Sequence, residues 1–84
     1  MTQLEIAKAV RAFIETEFSH GASFRDDEDL FARGILDSMG AHELFAFLEQ
    51  TFSTRISDRY FFDPRFTQVT GLAEIVCEAR GSGH

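Results

Sequence analysis

Apolar residues recur at intervals of three and four in three separate segments, and this spacing is the strongest constraint on the fold of the chain. Such periodicity is typical of amphipathic α-helices that bury one face. The segments span residues 3 to about 18, 37 to about 52, and those that follow Thr67. Because no segment shows the alternating pattern of a strand, the sequence predicts an all-α protein.

Polar residues with helix-capping preferences mark the ends of these segments. Thr2 and Asp37 can cap the first and second helices, and Thr67 is expected to cap the last. The sequence Ser19-His20-Gly21 predicts the end of the first helix, and Arg80-Gly81 the end of the last. We therefore expect three helices of ordinary length.

A fourth, short helical segment is expected over residues 56–62, with Ser57 or Asp58 as its cap and Asp63-Pro64 as its end. The prediction is a small four-helix bundle, with three longer helices, one short helix and a long first loop. It forms a single domain over residues 1–80, followed by a flexible tail at 81–84. The expected core positions are Ile6, Ala7, Val10, Phe13, Ile14, Phe18, Ala41, Leu44, Phe45, Leu48, Phe52, Val69, Leu72, Ala73 and Val76.

The loop over residues 19–36 is unusually long for a small domain, and loops of this length are often functional. Its acidic run, Asp26 to Asp29, lacks the spacing, central glycine and terminal glutamate of a calcium-binding EF-hand. We expect this run to be solvated. Gly34 is expected to adopt a backbone angle that other residues resist.

Composition excludes several classes of protein. Fourteen acidic and eight basic residues give a formal net charge of −6, which disfavours nucleic acid as a partner. A single cysteine and no signal-peptide pattern predict a cytoplasmic protein. No apolar run is long enough to insert into a membrane, and the histidines and the cysteine show no metal-ligand spacing.

One serine stands within a motif that carries chemistry. Leu30-Phe31 precedes Gly34, and the run Gly34-Ile35-Leu36-Asp37-Ser38-Met39 leads into the second helix. This pattern resembles the phosphopantetheine attachment site of acyl and peptidyl carrier proteins. The resemblance covers the chain from about Leu4 to Val76, and it implies that Ser38 carries a covalent 4'-phosphopantetheine arm.

The resemblance also implies partners and a docking face. A carrier of this kind is not an enzyme. It is modified by a phosphopantetheinyl transferase, loaded by an adenylation enzyme or acyltransferase, and unloaded by downstream acyl- or aminoacyl-transferring enzymes. We expect it to be a monomer. The residues that align with the partner-docking surface are Asp37, Met39, His42, Glu43, Ala46 and Glu49.

The motif departs from that of the fatty-acid carriers, in which the serine is typically followed by leucine and an acidic residue. Here Ser38 is followed by Met39-Gly40-Ala41-His42, and the helix is poorer in acid. The pattern is more similar to stand-alone carriers of specialised pathways, which include D-alanyl, aminoacyl and polyketide-extender carriers. We therefore expect a discrete carrier acting in trans in polyketide or nonribosomal peptide biosynthesis.

Other functions remain open at this point. A hydrolase could use Ser38 with His42 as its base, although the strand that precedes a nucleophile elbow is missing from the pattern. The main alternative is a helical protein-interaction module or acidic inhibitor without a prosthetic group. A helix-turn-helix DNA-binding protein is disfavoured, because the second helix contains no Lys or Arg.

Overall fold

The computed structural model describes residues 1–81 and contains three α-helices. Helix α1 spans Gln3–Glu17, α2 spans Ser38–Thr51 and α3 spans Val69–Gly81. Two short 3₁₀ helices, Asp58–Phe62 and Pro64–Thr67, stand where the sequence predicts one short helix. The described part of the chain contains no strand. The all-α class is therefore confirmed.

The first helix begins and ends where its sequence predicts. The Thr2 hydroxyl accepts a hydrogen bond from the Glu5 amide, and the Glu5 carboxylate accepts one from the Thr2 amide. This capping box satisfies amides that the helix leaves unpaired, and it lowers the pKa of the Glu5 carboxyl. Beyond the helix the backbone turns through positive φ angles at His20 and Gly21, which prevents the helix from continuing.

The segment before the last helix differs from the prediction. Helix α3 starts at Val69, and Thr67 does not cap it, because its hydroxyl donates instead to the Pro64 carbonyl. Asp63 accepts from the Arg65 amide and starts a second 3₁₀ helix where the sequence suggested only a terminator. At the other end, Gly81 is helical rather than the first residue of a tail. Residues 82–84 lie outside the described part.

The core draws on all three helices. Every predicted core position of α2 and α3 is buried, and so is Phe52 just beyond α2. In the first helix the most central positions are buried, whereas Ala7, Phe13 and Phe18 are half-buried at its edge. None of the described helices combines the length and hydropathy needed to cross a bilayer. Buried side chains that the sequence reasoning missed include Tyr60, Phe66 and Ile75.

The long loop is fastened to the rest of the fold by backbone hydrogen bonds. The Leu30 amide donates to the Thr67 carbonyl at 2.8 Å, and the Thr70 amide donates to the Asp26 carbonyl at 3.0 Å. Gly34 has a φ of +73°, as expected, and it turns the chain into the segment that precedes α2. The loop is therefore an ordered part of the structure that fixes where α2 begins.

The acidic run in this loop is bonded rather than simply solvated. Asp26 pairs with Arg11 at 2.5 Å, and the next two carboxylates pair with arginines of the loop. Asp29 accepts the amides of Phe31 and Ala32 and stabilises a turn. Hydrogen bonds to Arg25, including one from its backbone amide, lower the pKa of the neighbouring carboxyls. The run contributes to loop structure as well as to surface charge.

A second polar cluster joins the 3₁₀ segment to α3. The Arg65 guanidinium bonds to the carboxylates of Asp63 and Glu78, and the Tyr60 hydroxyl donates to Glu78 at 3.2 Å. Hydrogen bonds to Arg65 lower the pKa of both carboxyls. These contacts lie at the surface, so they orient the segment more than they stabilise it.

Helix α3 and the second 3₁₀ helix approach each other closely at Gly71. A Cβ atom at this position would lie 2.0 Å from the carbonyl oxygen of Arg65, which belongs to the backbone and cannot rotate away. Helix α3 and the second 3₁₀ helix can therefore pack this closely only because residue 71 has no side chain.

Replacing this glycine should destabilise the protein strongly. We expect Gly71→Ala to lower the free energy of unfolding by about 3 kcal/mol, because the added methyl group forces two packed backbones apart. Urea denaturation followed by circular dichroism measures the change.

Gly81 on the same helix provides the matched control, since no atom lies within 4 Å of the point that a Cβ atom would occupy there. Gly81→Ala should leave stability unchanged or raise it by up to about 1 kcal/mol. Equal stability of the two variants would show that the close approach at residue 71 does not exist.

Candidate functional site

Ser38 is the first residue of α2, and its side chain is exposed. The helix is capped by the preceding residue: an Asp37 carboxylate oxygen accepts from the Gly40 amide at 2.8 Å, and the Asp37 carbonyl accepts from the Ala41 amide at 2.8 Å. A serine at a helix start is often only a capping residue. Because Asp37 is the capping residue here, the Ser38 hydroxyl does not cap the helix and remains exposed.

The residues before Ser38 hold it in a fixed position. Leu36 is buried, and its amide donates to the carbonyl of Leu30, which is itself fully buried. On the helix side, Gly40 packs so closely that a Cβ atom there would lie 3.2 Å from the Phe18 ring. The start of α2 is thus anchored by the core on both sides of the exposed serine, which gives the site a rigid base.

A groove of roughly 640 Å³ lies between α2 and the first 3₁₀ helix, and Ser38 is among its lining residues. Its lining is mainly apolar, with polar groups at Ser38, His42, Glu49 and Asp58. A groove of this size can hold an extended small molecule. The remaining lining residues are Phe31, Ala41, Phe45, Ala46, Phe61 and Phe62.

Stacked aromatic rings form the base of the groove. Phe61 stacks on Phe45 with ring centroids 4.6 Å apart, and on the buried Phe66 at 5.2 Å. The His42 ring lies 5.0 Å from Phe61. Phe62, by contrast, is 87% exposed. The groove therefore has a packed aromatic floor and one large apolar side chain at its edge that the described fold does not cover.

Two carboxylates lie in the groove. One Glu49 oxygen accepts from the Ile56 amide at 2.9 Å, which holds the side chain in place and brings the chain at residue 56 against α2. Asp58 follows two residues later and also lines the groove. Glu49 lies eleven positions after Ser38 on the same helix, which is about three turns.

The structure divides the predicted docking residues into two groups. Asp37, Met39, His42, Glu43 and Ala46 are exposed, and Met39 is 73% exposed. Glu49 is half-buried, because it is bonded to the chain after α2. The residues that line the groove together with the serine are His42, Ala46 and Glu49.

Sequence reasoning missed most of the groove. Asp58, Phe61 and Phe62 come from the short segment, for which the sequence predicts only a helix and its caps. The pair Phe61-Phe62 could have indicated a surface site, because neighbouring residues of one short helical turn cannot both point into the same core. Its contact with α2 depends on packing that the local sequence does not encode.

The alternatives find little support in the geometry. No hydrogen bond joins Ser38 to His42 within residues 1–81, and the His42 ring packs near Phe61 instead. A serine hydrolase needs a base that activates the hydroxyl. No group of three or more metal-ligating side chains comes together in the described residues.

Known proteins show which family shares this arrangement. The D-alanyl carrier protein of Streptococcus sanguinis is 35% identical over 79 residues, which are 94% of this chain and the whole length of that protein. Its counterpart in Streptococcus gordonii is 33% identical over the same length. No family model matches the chain, and neither does any solved structure.

Carrier proteins are not enzymes; they hold their cargo on a covalently attached 4'-phosphopantetheine arm and pass it between loading and transferring enzymes. The residues present fit such an arm, because Ser38 lines a groove and offers an exposed hydroxyl that the helix cap does not use. With relatives this similar over nearly its whole length, the chain belongs to the acyl and peptidyl carrier protein family.

Proposed function

We propose that this protein is an aminoacyl carrier and that Ser38 is the residue to which its 4'-phosphopantetheine arm is attached. The observation that carries the proposal is the exposed, non-capping serine at the start of α2, anchored by the buried Leu36. The arm ends in a thiol, on which the cargo is held as a thioester that partner enzymes can transfer.

The start of α2 suits the phosphodiester that links such an arm to the protein. The Gly40 and Ala41 amides are bonded to Asp37, which leaves those of Ser38 and Met39 at the helix terminus. Helix N-termini favour negative charge through free amides and the helix dipole. The transferase supplies the catalysis, so the carrier itself needs no base beside the serine.

Replacing the serine should abolish attachment without harming the fold. Ser38→Ala is expected to remain helical, because the side chain is exposed and caps nothing. With a broad-range phosphopantetheinyl transferase and coenzyme A, the native protein should gain the mass of one arm and Ser38→Ala none. Intact-mass spectrometry measures both.

Ser23→Ala, at an exposed loop serine, is the matched control and should be modified like the native protein. Modification that persists in Ser38→Ala would place the arm elsewhere. Failure of the native protein to gain mass would favour the alternative, an interaction module without a prosthetic group.

We also propose that partner enzymes dock on the exposed face of α2, at Met39, His42, Glu43 and Ala46, with Asp37 and Glu49 at its borders. The support is the exposure of a large apolar side chain beside a charged one. Because arginines pair with three of the four acids in the preceding loop, Glu43 should contribute more to electrostatic attraction than that loop does.

Reversing this charge should slow association with the transferase or loading enzyme. Glu43→Arg is expected to lower kcat/KM for loading severalfold and to weaken its dependence on ionic strength, since charges at the rim of an interface act mainly on association. Circular dichroism should be unchanged. Glu17→Arg makes the same change of charge at the exposed end of α1 and should load normally. Equal loading of both variants contradicts docking at Glu43.

The cargo proposed here is an aminoacyl group, because the relatives at 33–35% identity are D-alanyl carriers. We propose that the protein acts in trans, as a cytoplasmic monomer, and that natural-product assembly is its pathway. An adenylation enzyme would then activate the amino acid and load it onto the arm. The exposed His42 and the low acid content of α2 support a partner other than the fatty-acid enzymes.

A competition assay tests this choice of cargo. The arm-bearing protein is offered to a fatty-acid malonyl transferase and, separately, to a D-alanine-activating adenylation enzyme with ATP. We expect aminoacyl loading to exceed malonyl loading at least tenfold, measured by intact mass over time. Faster malonyl loading would overturn the aminoacyl proposal and leave attachment at Ser38 intact.

A further inference from the structure

A second groove, of roughly 470 Å³, is lined by the turn after α2, the first 3₁₀ helix and the last turn of α3. We propose that this second groove binds a diphosphate, whose phosphoryl groups are held by the guanidinium groups of Arg55 and Arg59. None of its lining residues belongs to the groove at Ser38, so this inference goes beyond the proposed function and does not depend on it.

The two arginines have no carboxylate partner, although the chain contains fourteen acidic residues. Four other arginines each form an ion pair, whereas Arg55 and Arg59 form none within residues 1–81. Asp58, which lies between them in sequence, lines the groove at Ser38 instead. Among the described residues no acidic side chain lines the second groove. It therefore presents two positive charges and no negative one on an acidic protein.

Three hydroxyl groups add hydrogen-bond donors to the second groove. Ser53 and Thr54 line it, and their hydroxyls make no hydrogen bond to any other residue of the described chain. The Ser57 oxygen accepts from the Arg59 amide, which leaves the hydroxyl proton to be donated. Donors from two guanidinium groups and three hydroxyls, with no carboxylate to compete for them, are suited to an oxyanion.

The number of donors favours phosphoryl groups over a carboxylate. A carboxylate has two oxygens, and a single guanidinium group can bind both of them, so the second arginine would add little. A phosphoryl group has more oxygens and can accept from two arginines and a hydroxyl at once. The volume of the second groove is in the range of small-molecule sites and is larger than one phosphate fills. Two linked phosphoryl groups therefore fit it better than one.

The local structure restricts where these donors lie. The Arg59 Cζ atom is 5.2 Å from the centroid of the buried Tyr60 ring, so the guanidinium group has a surface to pack on. Ser53 directly follows the C-cap of α2 with a φ of +50°, a left-handed conformation in which glycine is usual. A serine strains the backbone there. A hydroxyl that contributes to the second groove accounts for a serine at this position.

Titration with pyrophosphate tests the site directly. Pyrophosphate is added to isotope-labelled protein at constant ionic strength and without divalent cations, and two-dimensional NMR follows the backbone amides. Phosphate, ADP and succinate are titrated in the same way. ADP carries the diphosphate on a nucleoside, and succinate offers two linked carboxylates in place of phosphoryl groups.

We expect saturable shifts centred on residues 53–60, with pyrophosphate bound about fivefold more tightly than succinate. Arg55→Gln and Arg59→Gln should each weaken pyrophosphate binding about two- to fivefold, which is typical of the loss of an exposed ion pair. Lys8→Gln removes an exposed positive charge from α1, outside the second groove, and should bind like the native protein.

A further variant separates binding from folding. Ser53→Gly removes the hydroxyl and relieves the strained backbone, so it should weaken pyrophosphate binding while raising the urea concentration at which the protein unfolds. A loss of binding that came from a damaged fold would be accompanied by the opposite change in the unfolding midpoint.

The outcomes identify the ligand and leave the carrier function untouched. ADP binding as tight as that of pyrophosphate, or tighter, supports a nucleotide as the source of the diphosphate, and weaker ADP binding supports free diphosphate. Absence of saturable shifts, or unchanged binding when Arg55 and Arg59 are both replaced, overturns the site. Succinate binding as tight as that of pyrophosphate assigns the second groove to carboxylates, such as those of an acidic partner protein, and overturns the diphosphate.

Discussion

The position of the site depends on the backbone of one buried residue, Leu30. Its amide donates to the Thr67 carbonyl, and its carbonyl accepts the amides of Ile35 and Leu36. The first bond joins the long loop to the segment before α3, and the other two turn the chain towards α2. Because Leu30 is fully buried, its hydrogen bonds lie in a low-dielectric environment, where they are stronger than in water. The exposed serine is thus presented from a fixed point.

Two neighbouring residues at the start of α2, Asp37 and Ser38, have different roles. Asp37 caps the helix, so the Ser38 side chain faces solvent and is not needed as a cap. The same helix buries Leu44 and Leu48 on one side and lines the groove with Ala46 on another. A small side chain at position 46 leaves space beside the aromatic floor. The helix that contributes to the core is therefore also the wall along which a tethered group can lie.

The sequence predicts those features of the fold and the site that depend on interactions between residues close together in the chain. The capping of α1 by Thr2, the cap at Asp37 and the turn at Gly34 follow from short-range chemistry, and the structure confirms all three. The motif around Ser38 indicates the family for the same reason. The second 3₁₀ helix escapes prediction because Pro64 ends one turn and starts the next, and both interpretations suit the local sequence.

The groove could not be predicted because its two walls are distant in sequence. Phe61 stacks on Phe45, and the hydrogen bond from the Ile56 amide to Glu49 holds the preceding part of the same segment against α2. Nothing in the residues around 58–62 specifies that contact. Glu49 illustrates the difficulty, since an exposed-looking acid on a helix is in fact half-buried and bonded to a backbone amide.

The acidic loop and α2 differ in how far basic side chains neutralise their carboxylates. Arginines neutralise much of the acidic loop, with Arg25 and Arg33 bonded to the carboxylates beside them. In contrast, α2 carries no Lys or Arg, and no ion pair neutralises Glu43, Glu49 or Asp58 among the described residues. Part of the unneutralised negative charge therefore lies along α2 and the groove. A basic partner surface is attracted to the exposed part of that charge.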